Sequence, residues 1–210
     1  QRKILGSLTN NTTGFLFTLQ YPSTLIWSSS TSGLLVSIFN NSASGNDDVL
    51  TYVAYNKLRR STGHNNSMLW QYSDPCYNQI ITWNTHVIRD VTGDGFQDVI
   101  TIATKKNSPS CSSYTDDIIV LDGITGTPIV KHAVTPLYSV GDIKIDTIGD
   151  MNNDGKDDII VLDRGGQNVN TALAKVSVYS SAVANKIITS YPIPYAVDAI
   201  SLGKFGPGDN

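Results

Sequence analysis

The chain contains no glutamate; all 18 of its acidic residues are aspartate. Glutamate is a helix former, whereas aspartate favours turns and caps, so this bias points away from helices. No window shows a sustained 3.6-residue apolar period, which gives the same answer. Only three histidines occur in 210 residues, at His64, His86 and His132. They are scattered, with no His-Glu-X-X-His and no Cys-X-X-Cys, which excludes the common zinc signatures. Each reads as a surface or strand residue. No Gly-X-Ser-X-Gly elbow and no phosphate loop occur. With glutamate absent, general acid or base work would fall to aspartate. Charged residues make up 16% of the chain and the net charge is −3 without any basic block, so nucleic acid is not an expected partner. The paired basics Arg59-Arg60 and Lys105-Lys106 read as solvated loop residues. No apolar run approaches the ~18 residues that span a bilayer. The sequence has no signal peptide or initiating Met, and its last residues resemble part of a repeat loop. A processed chain or a piece of something longer is expected.

What the chain does have is aspartate in a fixed pattern. Asp150-Met151-Asn152-Asn153-Asp154-Gly155-Lys156-Asp157-Asp158 and Asp90-Val91-Thr92-Gly93-Asp94-Gly95-Phe96-Gln97-Asp98 both place oxygen side chains at positions 1, 3, 5 and 9, with Gly at position 6. Short side chains at alternate positions converge when the chain curls, and the glycine allows the sharp turn. A hard cation such as Ca²⁺ takes about six to eight oxygens, one of them a backbone carbonyl at position 7. The expected ligands are Asp150, Asn152, Asp154, the Lys156 carbonyl and Asp158 in one loop. In the other they are Asp90, Thr92, Asp94, the Phe96 carbonyl and Asp98. Thr92 is the weaker donor at position 3. The plainer alternative is a pair of Asx-rich turns held by their own hydrogen bonds. Converging carboxylates repel without a cation, which favours calcium, and its role would be structural.

An EF-hand is excluded, because position 12 is Thr101 or Val161 instead of Glu and the flanks are apolar, β-branched runs. Ile80-Ile81-Thr82-Trp83 and Val87-Ile88 precede the first loop and Asp98-Val99-Ile100 follows it. Ile143-Lys144-Ile145 and Asp158-Ile159-Ile160 flank the second. Each loop is therefore expected inside a β-hairpin.

A degenerate copy, Asn40-Asn41-Ser42-Ala43-Ser44-Gly45-Asn46-Asp47-Asp48, supplies one carboxylate at position 9 and reads as metal-free. A fainter one lies near Lys204-Phe205-Gly206-Pro207-Gly208-Asp209, spanning about 204–210, with turn formers and no ligands. Loop starts at 40, 90, 150 and about 204 give a period of roughly 50–60 residues, the size of a four-stranded propeller blade. A second hairpin is expected in each repeat, at Phe15–Leu19 with Leu25–Trp27, at Ile118–Gly123 leading to Thr125–Val130, and at Val176–Tyr179 with Ile187–Thr189. The expected fold is all-β. Residues 1–210 form one propeller segment of about four blades, an incomplete ring. Trp27, Trp70 and Trp83 are expected in the core between blades.

The residues of the two loops and their flanks resemble the FG-GAP/VCBS-type repeat of the integrin α-subunit head and of many extracellular propellers. The hairpin with Leu121-Asp122-Gly123-Ile124-Thr125-Gly126 also resembles quinoprotein-like blades. The first resemblance implies a non-enzymatic, calcium-stabilised domain for adhesion, recognition or assembly, in a ring of about seven blades. Its partners would be a protein or glycan, or further copies of the chain. The second keeps open an enzyme propeller, a quinoprotein-like oxidoreductase or a carbohydrate-active enzyme.

An extracellular or cell-surface setting is expected on two further grounds. Asn10, Asn11, Asn40 and Asn65 each begin an Asn-X-Ser/Thr glycan acceptor. The two cysteines, Cys76 and Cys111, flank one strand pair whose outer ends a hairpin brings together, so a disulfide is expected; two free thiols are the alternative.

Overall fold

A computed structural model describes residues 3–7, 14–18, 25–29, 34–39, 47–54, 56–63, 65–106, 111, 116–137, 143–164 and 174–194. These residues form sixteen strands in four antiparallel sheets taken in chain order. The first sheet holds β1 (Lys3–Ser7), β2 (Gly14–Thr18) and β3 (Leu25–Ser29). The second holds β4 (Leu34–Phe39), β5 (Asp48–Ala54), β6 (Lys57–Ser61) and β7 (Met68–Ser73). The third holds β8 (Tyr77–Ile80), β9 (His86–Ile88), β10 (Asp98–Lys105), β11 (Asp116–Leu121) and β12 (Pro128–Val134). The fourth holds β13 (Ile143–Ile148), β14 (Asp158–Asp163), β15 (Ala174–Tyr179) and β16 (Ile187–Ile193). Each sheet is an up-and-down meander, the topology of a propeller blade. The first strands of successive sheets lie side by side: β1 beside β4, β4 beside β9, and the turn at Thr82–Asn84 beside β13. The fold is all-β, a run of blades, as the repeat implied.

Burial follows position in the blade. The central strands β10, β11 and β14 are buried almost end to end, whereas the outer strands β7 and β12 alternate buried and exposed residues. A strand between two neighbouring sheets buries both of its faces and needs no polar side. On β10 and β11 the two faces separate cleanly. Val99, Ala103, Ile119 and Leu121 pack on Leu50, Leu58 and Trp70 of the second sheet. Ile100, Ile102, Ile118 and Val120 pack on Ile143, Ile145 and Ile159 of the fourth. A fully buried side chain of this size stabilises by about 2 kcal/mol, so these interlayers are the main glue of the stack.

Three expectations are corrected. Arg60 is not a loop residue: it lies on β6, is 5% exposed, and its guanidinium meets the Asp48 carboxylate at 2.5 Å. Lys105 lies on β10 and pairs with Asp117 at 3.0 Å. Trp83 is 59% exposed instead of buried, because the first strand of the third sheet is broken by a 3-10 turn at Thr82–Asn84 that turns its ring outward. Trp70 is buried as expected, and the Trp27 side chain lies outside the described residues.

Candidate calcium loops

Both aspartate-rich loops join the first and second long strands of their sheets. The first closes a hairpin in which Ile88 faces Asp98, the second one in which Ile148 faces Asp158. Their backbones follow the same path. Positions 4 and 6 are left-handed in both, at Gly93 (φ 84°) and Gly95 (φ 88°), and at Asn153 (φ 60°) and Gly155 (φ 86°). Asparagine is the side chain that best tolerates this conformation, which is why it can replace glycine at position 4.

The position-1 carboxylate organises each loop. Asp90 Oδ1 accepts the Gly93 N–H at 2.6 Å and the Thr92 hydroxyl at 3.0 Å, and Oδ2 accepts the Gly95 N–H at 2.7 Å. Asp150 Oδ1 accepts the N–H groups of Asn152 and Asp154, and Oδ2 that of Gly155 at 2.7 Å. What burial these carboxyls have pushes them up, but the N–H groups of Gly95 and Gly93, and of Gly155 and Asp154, outweigh it and hold both below the usual range. The position-5 carboxylates do less: Asp94 and Asp154 each accept the N–H two residues on, from Phe96 and Lys156.

Position 9 is the inner anchor. Asp98 and Asp158 are both fully buried. Asp98 Oδ2 accepts the N–H groups of Val91 (2.8 Å) and Thr92 (3.1 Å), while Oδ1 accepts that of Gly123 (2.9 Å), in the turn between β11 and β12. Asp158 Oδ2 accepts the Met151 N–H at 2.9 Å, and its Oδ1 takes the Asn152 Nδ2 at 3.1 Å. Burial pushes Asp98 up to about 6, and the nearby Asp94 charge adds to the shift. Asp158 is raised by burial, then by Asp154 and Asp150, against the backbone hydrogen bonds of Met151 and of Ser181, in the turn between β15 and β16. In each loop the inner carboxylate therefore sits in the field of like charges.

The donor set fits a hard cation in kind: carboxylates at positions 1, 5 and 9, a hydroxyl or amide oxygen at position 3, and the carbonyls of Phe96 and Lys156. Asn152 turns its Nδ2 to Asp158 and keeps its Oδ1 as an acceptor. Among the described residues no three acidic, histidine or cysteine groups are gathered tightly enough to form a metal cluster as they stand. A cation would have to draw the position-1 and position-5 carboxylates inward.

Residues 40–46 of the third loop (40–48) and the whole of the fourth (204–210) lie outside the described residues, as do Asn10, Asn11 and Asn40. Asp48, at position 9 of the third copy, is buried and holds Arg60. Asn65 stands exposed in the turn between β6 and β7, where its Oδ1 accepts from the Thr62 hydroxyl and the Ser67 N–H. Cys76 and Cys111 are joined by a disulfide, with Cα atoms 5.5 Å apart and a sequence separation of 35. Closing a loop of that length removes denatured-state entropy worth about 4 kcal/mol.

Several residues that matter here carry no motif. The Gly123 carbonyl accepts from the Trp70 indole N–H at 2.8 Å and from the Arg60 guanidinium, so the second sheet grips the turn that Asp98 holds from below. A Cβ on Gly123 would lie 1.7 Å from the Gln97 carbonyl oxygen, which only glycine avoids. The two candidate loops are also joined, by Arg89 Nη1 to Asp157 Oδ2 at 3.2 Å.

No protein-family model matches the chain, and no curated protein matches it. Among solved structures, the crystal structure of BamB from Moraxella catarrhalis aligns with a TM-score of 0.46 and 10% identity over 90% of this chain. The chain spans 50% of that protein's length.

Proposed function

We propose that this chain is a calcium-stabilised propeller segment of an extracellular or cell-surface protein, serving adhesion, recognition or assembly, without catalysis of its own. The observation that carries the reading is the pair of buried position-9 carboxylates, each pushed up by burial and then by neighbouring aspartates of its own loop. Calcium would supply the missing counter-charge and tie each loop to its sheet; bound to the folded chain alone, it adds to stability by mass action. Asp90, Asp94, Asp98, Thr92 and the Phe96 carbonyl would hold one ion, and Asp150, Asp154, Asp158, Asn152 and the Lys156 carbonyl the other. The Cys76–Cys111 disulfide and the exposed acceptor Asn65 support the extracellular setting. Rigid sheets with loops at their ends suit a protein or glycan partner, or further copies of the chain.

Calcium titration by calorimetry tests the reading. Two sites are expected in the native chain and one in each of Asp94→Ala and Asp154→Ala. The absence of binding at millimolar calcium would remove it.

The exposed Trp83 favours a second reading, an enzyme propeller that stacks a quinone or sugar on that ring. Cofactor absorbance in the purified protein, or sugar turnover lost in Trp83→Ala, would select it.

A further inference from the structure

The joint between the third and fourth sheets is built around an imidazole. His132, on β12, is fully buried. Its Nδ1 accepts the backbone N–H of Asn185 at 2.9 Å, and the Asn185 Oδ1 accepts the Ala133 N–H at 2.7 Å. Asn185 holds a left-handed backbone (φ 57°) in the turn between β15 and β16, so the contact is locked from both sides. The ring lies against Tyr179 with centroids 5.0 Å apart. The other nitrogen, Nε2, is buried with no hydrogen-bond partner among the described residues.

An imidazole has one acceptor nitrogen, and here a neighbouring sheet uses it. Protonation would turn Nδ1 into a donor facing the Asn185 N–H, placing two donors head to head. It would also put a charge where counter-charge is scarce. Asp117 is the carboxylate that acts on the ring, but it already carries the Lys105 ammonium at 3.0 Å and the Tyr77 hydroxyl. The Tyr179 ring is tilted against the imidazole, and the Ser180 backbone hydrogen bond, which favours the charged ring, does not outweigh burial.

We propose that this joint is acid-labile: protonation of His132 detaches the Asn185 turn from β12 and loosens the fourth sheet from the third, while the contact between the second and third sheets stays closed. The titration runs in the required direction. Burial holds the His132 ring below its ordinary value, and the Ser180 backbone and Asp117 offset this only in part. The closed joint thus binds fewer protons than the open one, so falling pH favours opening from about 6.5 downward. A second histidine crosses the same joint. His86 Nε2 lies 3.5 Å from Asp146 on β13, and burial lowers it too, against the pull of Asp146. Its net lowering has the same sign as that of His132, so protonated His86 also disfavours the closed joint, but beside β13; the bond to the Asn185 turn is made by His132, and its replacement separates the two contributions.

Amide hydrogen exchange on the whole chain, corrected for the intrinsic pH dependence, tests this at pH 7.5, 6.0 and 5.0 with His132→Gln alongside. Glutamine offers an amide oxygen to the Asn185 N–H and does not titrate. In the native chain, protection of residues 180–186 and of Ala133 should fall about tenfold per pH unit below the onset, one proton's worth, while β10 and β11 hold. In His132→Gln it should not change with pH. Equal protection at pH 7.5 and 5.0 in the native chain, or the same loss in the variant, overturns the proposal. Should the variant not fold, NMR titration of the His132 ring decides. Protonation coinciding with loss of the turn's protection supports the joint, and a ring protonated at pH 7 with the turn still protected overturns it.

Discussion

The loops at 90–98 and 150–158 share one backbone path yet are anchored differently. Asp98 reaches out of its own loop to the Gly123 N–H, and through Gly123 the loop is coupled to Trp70 and Arg60 of the preceding sheet. Asp158 also reaches out of its loop, to the Ser181 backbone in the turn between β15 and β16, and spends one oxygen on Asn152. Both anchors thus clasp the turn between the last two strands of their sheet, but the first clasp is gripped in addition by the preceding sheet, while the second loop adds the Asn152 bond and carries more like charge, with Asp150 and Asp154 both acting on Asp158. An identical aspartate spacing thus serves a clasp coupled to the preceding sheet and a loop with more like charge around its anchor, and the second should depend more on a cation.

Gly123→Ala is the harshest way to break the comparison. The new Cβ would strike the Gln97 carbonyl, separating the first loop from its clasp, and a loss of about 4 kcal/mol or more is expected in urea unfolding. Next come the anchors, compared in EGTA. Asp98→Ala strands three backbone donors and unties the turn gripped by Trp70 and Arg60, and should cost about 3 kcal/mol; Asp158→Ala strands the Met151 N–H, the Ser181 backbone and the Asn152 amide but relieves more like charge, and should cost less, about 2 kcal/mol. Equal costs would erase the distinction between the loops. The smallest effect belongs to the link between them. Arg89 is 69% exposed in its ion pair with Asp157, so a double-mutant cycle should return no more than about 0.5 kcal/mol.

The sequence carried some of this and hid the rest. The hairpins at β2–β3, β11–β12 and β15–β16 were legible because apolar, β-branched runs end at turn formers such as Asp122-Gly123. The hairpin of β6 and β7 was not. Lys57-Leu58-Arg59-Arg60 looks like a solvated stretch, and Arg60 is buried only because Asp48 waits across the sheet. Trp83 misled for a related reason, since a strand pattern does not announce the 3-10 turn that interrupts it. Both aspartate loops were legible because their donors are contiguous. Their anchoring was not: Gly123 stands 25 residues beyond Asp98, and only the fold brings them together.

Thermal melting of the purified chain in millimolar calcium and in EGTA tests the central claim most directly. Two sites saturated at a hundredfold over Kd contribute about 2.7 kcal/mol each, and at about 2–4 °C per kcal/mol the account predicts a Tm at least about 10 °C higher in calcium. Asp154→Ala should remove more of that gain than Asp94→Ala. Superimposable melts in calcium and EGTA would contradict the account, leaving both loops as aspartate turns that need no ion.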